Sequence, residues 1–366
     1  MEKCYLCGKS LSAENSSKEH IFLNAIGGRL KSKKLICRTC NANFGEKIDF
    51  TLSEQLKPFA NLFNINRGDG EIAKPFDAKG VTSGEKYSIK AGGNPTIKKP
   101  VEVNKTSEGK VFIIQTNNKN EAIEILDGLK KRYSQIDTEM VLDSAVYKYV
   151  TDKLCVSSTF GGADAFRSLC KTAVNFYILK NGDVSNINHL IPFLKGESDN
   201  DCVFFHYSEH EIIERQQHEI LHSIIISGDK TEKILYAYIE LFSFYKVIVL
   251  LNDNYNGENF SSSYFYDILD CDKIQKCFSL CLKKKEILKL LRDRILPSIE
   301  IRKEIEKILV IWREKASEDF LVQSIDNAID SSLYPEETEM YNEFLKEFLK
   351  EITPWVIANF NNVDSI

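Results

Sequence analysis

The spacing of apolar and polar residues changes period several times along the chain. Over residues 1–50 short extended segments are broken at Gly27-Gly28, and from Cys37 a helical spacing takes over. Ile48, Leu52, Leu56 and Phe59 continue it until Pro58 interferes, so the order expected is strand, turn, strand, helix. Residues 64–100 are rich in glycine turns, with short strands expected within them, for example over Lys86–Lys90. Alternation over 98–104 and 111–116, around Ser107-Glu108-Gly109, predicts a hairpin. Helical spacing then predicts helices over 120–133, 141–160 and Ala163–Leu179, with a short one over 186–194.

Beyond residue 200 the period shortens to that of strands. Segments 202–206, 221–227, 234–242 and 245–251 read as an antiparallel meander that ends over 252–257. After Asp272 the pattern is helical again, over 273–295, 298–315, 319–329 and 335–352. The fold class expected is α+β: a small N-terminal module followed by a larger body of mixed antiparallel sheet and helices. The domains expected are 1–62, a loop-rich linker over 63–100, and a regulatory or interaction body over 101–366 with a helical C-terminus.

Charge changes this picture at one end. The net charge is −5, yet residues 1–50 hold nine Lys/Arg against five Asp/Glu. A basic module on an acidic body concentrates polyanion contact at the N-terminal end. The eight basic and two acidic residues of 273–294 are read first as a solvated helix face, with contact to a nucleic-acid backbone second. There is no apolar run long enough for a membrane span and no secretory leader, so a cytoplasmic protein is expected. The chain has no glycine-rich phosphate loop and no dinucleotide fingerprint.

Four of the ten cysteines form two Cys-x-x-Cys pairs, Cys4/Cys7 and Cys37/Cys40. Such knuckles deliver two thiolates each, and two of them close a tetrahedral zinc site around a module too small to stand on its own core. The other six, Cys155, Cys170, Cys202, Cys271, Cys277 and Cys281, are read as buried small hydrophobes. A closed four-cysteine site leaves no open position, so chemistry must come from other residues. Glu19, His20 and Asn41 suit phosphodiester hydrolysis. An imidazole can take a proton from water near neutral pH, and a carboxylate with an amide oxygen can hold a hard divalent cation. Glu19 and His20 are adjacent, so they share one site only if the strand bends there.

Cys4-x-x-Cys7, Glu19-His20-Ile21, Gly27-Gly28, Cys37-x-x-Cys40-Asn41, Phe44-Gly45 and Ile48-Asp49 together resemble the HNH endonuclease family, in its variant with two cysteine pairs. The resemblance covers about one eighth of the chain. It implies a treble-clef-like ββα-metal fold, with His20 as general base, Glu19 and Asn41 on catalytic Mg²⁺ or Mn²⁺, and Cys4, Cys7, Cys37 and Cys40 on structural Zn²⁺. It also implies a nucleic-acid partner, DNA before RNA. Two positions depart from the pattern: Leu23 stands where the family usually has proline, and Lys34-Leu35 where it often has Asn-Leu. Arg29, Lys31, Lys33 and Lys34 are candidates for phosphate contact. Asp49 is either an outer-shell residue of the metal or an exposed helix residue.

The body faintly resembles those of other standalone bacterial HNH proteins over 236–242 and 247–257, and some proteins of that layout act in anti-phage defence. A homo-oligomer, or an activating partner or ligand held by the body, is left open. Two other readings compete with the nuclease. One is a zinc-dependent nucleic-acid-binding protein without catalysis, motivated by Leu23 and Lys34. The other is a zinc metalloprotease using His218, Glu219 and His222, with Glu240 as a third ligand. That His-Glu-x-x-His string works only on a helix, and here it opens a segment that reads as a strand.

Overall fold

The computed structural model describes residues 2–331 except 69, 108, 147–149, 151, 200, 201 and 295, together with 344–346, 348–350 and 352–353. It has two compact units, Met1–Lys74 with Ser158–Ile311, and Pro75–Ser157 with Trp312–Ile366. The N-terminal module shares a unit with much of the body.

The module opens with two strands of two residues each. β1 (Glu19–His20) pairs antiparallel with β2 (Lys31–Ser32), placing Glu19 opposite Ser32 and His20 opposite Lys31. Between them the amides of Ile26 and Gly28 both donate to the Leu23 carbonyl. Gly27 has φ +93°, and a Cβ on Gly28 would lie 1.9 Å from the Phe22 carbonyl oxygen, so this turn needs both glycines. Leu23 sits at φ −55°, the value a proline ring imposes, so the backbone keeps the same course without the proline. α1 (Arg38–Phe44) leads through a π-helical turn at Gly45–Asp49 into α2 (Phe50–Leu62). Pro58 does not end α2. Burial of Leu52, Leu56, Phe59 and Ala60 along one side holds the helix together across the missing bond.

In the second unit β3 (Phe76–Gly80), β4 (Lys86–Lys90) and β5 (Asn94–Ile97) occupy what was expected to be linker. β6 (Val101–Thr106) and β7 (Gly109–Ile114) form the expected hairpin. Then come α3 (Lys119–Lys130), α4 (Thr138–Asp143) and β8 (Leu154–Cys155), with the larger sheet ordered β5-β4-β3-β8. Of the helix expected over 141–160, residues 147–149 and 151 lie outside the described residues, and the described ones hold the end of α4 and β8. The Asp152 carboxylate accepts from the amides of Thr82 and Ser83, and Cys155 lies opposite Lys79 of β3. Sheet pairing supplies backbone partners that an isolated helix would have had to provide for itself.

The rest of the first unit is built on α5 (Ala163–Leu179), buried along most of its length. After α6 (Ile191–Lys195) come β9 (Val203–Phe205), β10 (Leu221–Asp229), β11 (Ile234–Leu241), β12 (Tyr245–Asn252), β13 (Phe260–Asp267) and β14 (Asp272–Ile274). They form one antiparallel sheet in the order β14-β13-β10-β11-β12-β9. Nearly every residue of β10, β11 and β12 is buried, so this sheet is covered on both faces. The meander was expected to end before β13, whose Ser261-Ser262-Ser263 run hides its alternation. It is fixed by pairing along nearly the whole of β10, from Leu221 opposite Asp267 to Gly228 opposite Phe260.

The helix expected over 273–295 shrinks to α7 (Lys284–Asp293), because Phe278 bridges to Ile213 and holds the preceding segment extended. The helices expected over 298–315 and 319–329 are one, α8 (Ser298–Ser331). Most of the helix expected over 335–352 lies outside the described residues. No described helix is long and apolar enough to cross a membrane.

Candidate functional site

The four N-terminal thiols converge. Cys4, Cys7, Cys37 and Cys40 place their sulfurs within 4.8 Å of one another. In the first knuckle the Gly8 amide donates to the Cys4 carbonyl, with Gly8 at φ +72°. In the second, Cys37 caps α1 and Cys40 lies in its first turn. Four thiolates at zinc distance lie about 3.8 Å apart, and the sulfurs of Cys7 and Cys37 are 3.8 Å apart. The cluster therefore fits the structural metal. Burial acts upward on these thiols; hydrogen bonds from Cys40, Cys7 and Cys4 outweigh it at Cys37 and bring its pKa down to about 7, while Cys7 and Cys40 stay raised. A thiol placed as Cys37 is gives up its proton readily to a metal.

Adjacent residues of a straight strand face opposite ways, so β1 by itself does not bring Glu19 and His20 to one point. His20 is half-buried, and its cross-strand neighbour Lys31 is exposed. Glu19 is 3 % exposed and turns into the unit. Its Oε1 accepts from Lys171 Nζ at 2.6 Å and from Asn175 Nδ2 at 3.1 Å. Asn41, on α1, is half-buried and donates from Nδ2 to Ser17 Oγ at 2.7 Å. The other oxygens, Glu19 Oε2 and Asn41 Oδ1, make no hydrogen bond among the described residues.

Sequence reasoning missed the support behind Glu19. Ser168, Lys171 and Asn175 lie along one face of α5, three and four residues apart. Lys171 Nζ also binds Asp49 Oδ2 at 2.5 Å, and Ser168 Oγ donates to Asp49 Oδ1 at 2.7 Å. The Tyr5 hydroxyl donates to Asn175 Oδ1 at 2.8 Å. Asp49, left open between metal shell and exposed helix, is thus a partner of α5. A lysine inside an apolar run carries no mark of its partner in the sequence, which is why this stripe was not found.

One ammonium serves two carboxylates here. Burial alone would lower the Lys171 pKa, and Glu19 and Asp49 together raise it, so the side chain stays an ammonium. Burial pushes the Glu19 carboxyl up, and Lys171 offsets only part of that. A second positive charge at Oε2 would complete the balance. A carboxylate oxygen and an amide oxygen are the donors that magnesium and manganese prefer, so the residues present fit such an ion.

The His-Glu-x-x-His string forms no metal site. His222 is fully buried at the start of β10, where its Nε2 meets the Ile26 carbonyl at 2.8 Å and its Nδ1 accepts from the Phe242 amide at 3.1 Å. Burial holds its pKa down to about 4. Glu219 is paired with Lys276, and Glu240 with Arg215. Both imidazole nitrogens of His222 are spent on tying the Gly27-Gly28 turn to the sheet, which rules out the protease reading.

Of the four basic residues expected to meet phosphate, two are engaged within the protein. Arg29 donates to the Asn66 carbonyl, and Lys34 pairs with Glu2. Lys31 and Lys33 stay exposed, Lys31 beside His20.

Compared with known proteins, residues 4–57 match the model of the HNH endonuclease family. No curated protein and no solved structure matches the chain.

Proposed function

We propose that the HNH endonuclease module of residues 4–57 makes this chain a metal-dependent nuclease that hydrolyses phosphodiester bonds in DNA. The match of that family over the segment holding the thiol cluster, His20 and Asn41 carries the reading. His20 takes the proton from the attacking water at a ring nitrogen. Lys31 and Lys33 hold the neighbouring phosphates from the same side. Glu19 Oε2 and Asn41 Oδ1 are the oxygens for magnesium or manganese, which when bound offsets charge on the scissile phosphate. Cys4, Cys7, Cys37 and Cys40 keep strand and helix together through zinc. The layout of module and body makes anti-phage defence the setting to examine, by counting plaques on cells with and without the active chain.

The test is plasmid nicking with Mg²⁺ or Mn²⁺. Wild type is expected to nick, and His20→Ala to lose activity by about 10²-fold or more. Cleavage that survives His20→Ala would remove the base assigned here. A wild-type chain that binds DNA and never cuts with either metal would favour the non-catalytic reading.

A further inference from the structure

We propose that Lys171 and Asn175 of α5 are positioning residues for the nuclease centre: they grip one oxygen of the Glu19 carboxylate and so aim the other, Oε2, at the divalent cation. This rests on the function proposed above. It adds that the centre is composite, completed by a helix that begins more than a hundred residues after the module ends.

The two contacts to Glu19 Oε1, at 2.6 and 3.1 Å, come from fixed groups. Lys171 is 1 % exposed and Asn175 fully buried, on a helix whose own core is closed. The Asn175 amide cannot turn over without loss, because the Tyr5 hydroxyl donates to its Oδ1 and leaves Nδ2 for Glu19. Tyr5 stands inside the first zinc knuckle, so one amide joins that knuckle to the metal carboxylate. Asp49 offsets the charge that Lys171 brings, and Ser168 holds Asp49 in place. With one ammonium between two carboxylates, the cluster of Glu19, Asp49 and Lys171 keeps a net negative charge for a cation. Groups behind a metal ligand that fix its orientation commonly govern affinity by about 10–100-fold.

A purely structural stripe would change stability and leave metal binding alone. The experiment uses the zinc-loaded full chain, with Mn²⁺ titrated by its paramagnetic resonance signal without DNA, and single-turnover cleavage beside it. Lys171→Met/Asp49→Asn removes the ammonium together with its counter-charge, and Asn175→Leu removes only the amide. Expected are a Mn²⁺ affinity about tenfold or more weaker, a matching fall in the cleavage rate, an unchanged half-saturating DNA concentration, and retained zinc.

Wild-type Mn²⁺ affinity and rate in either zinc-retaining variant would overturn the proposal. So would loss of zinc and cooperative melting in both, which would make the stripe a folding device alone. Unchanged Mn²⁺ binding in Glu19→Gln would overturn it while leaving the nuclease standing. A wild type that neither takes Mn²⁺ beyond the zinc site nor cleaves would end both.

Discussion

Single residues set the tolerances of the N-terminal turn. Gly28 faces the Phe22 carbonyl so closely that any side chain collides with backbone. Gly28→Ala is expected to cost about 1–3 kcal/mol, read as a lower melting temperature, because backbone cannot move aside as a flexible side chain can. His222 gives the same turn a pH dependence. Its pKa lies near 4 in the fold against 6.5 for the ordinary side chain, so between those values the unfolded chain binds the proton and the folded chain does not. Its contribution is complete above about pH 6.5 and declines as pH falls toward 4, by about 3 kcal/mol in all. Thermal melts at pH 7 and pH 5 check this, and His222→Gln should flatten the difference. The Gly27-Gly28 turn was legible as a local signal. The role of His222 was not, because its partners Ile26 and Phe242 are 196 and 20 residues away.

Elements were legible where their own pattern decided them. α5 was expected over the residues it occupies, since seventeen residues of helical spacing follow a glycine pair. β10, β11 and β12 announced themselves by apolar runs. β13 and the extended stretch before α7 did not, since pairing with β10 and Ile213 decided them. The central sheet also buries charge. Glu240 of β11 is fully buried and accepts from Arg215 at 3.0 Å and from the Tyr238 hydroxyl at 2.5 Å. Arg215→Met should destabilise the chain by about 3–5 kcal/mol, because it strands a carboxylate away from water. Arg215→Met/Glu240→Gln should recover a large part of that, as urea unfolding would show.

At the scale of the whole molecule, the four-cysteine cluster acts on the elements that lean on it. A metal held by four thiolates binds the folded cluster and not the unfolded chain, so its binding adds to stability. A strong chelator is expected to remove about one zinc per chain and lower the melting temperature, and Cys37→Ser should do both without chelator, as metal analysis would show. The uneven charge makes a second claim. If Lys31 and Lys33 each neutralise a phosphate, replacing both with alanine should reduce the slope of log affinity against log salt by about 1.8. Fluorescence anisotropy of the uncleaving His20→Ala chain on duplex DNA measures it, and an unchanged slope would take both lysines off the substrate.

The sequence by itself determined the thiol cluster and the order strand–turn–strand–helix. These depend on spacings of a few residues, which chain geometry converts directly into proximity. Only the tertiary structure decided that Glu19 turns inward, that Lys171 and Asn175 stand behind it, and that His222 ties a turn instead of holding a metal. Those outcomes depend on which distant polar groups meet once water is excluded, because a buried charge must find a partner and the partner's place in the chain is unconstrained. The module was therefore readable from its own residues, and its dependence on α5 was not.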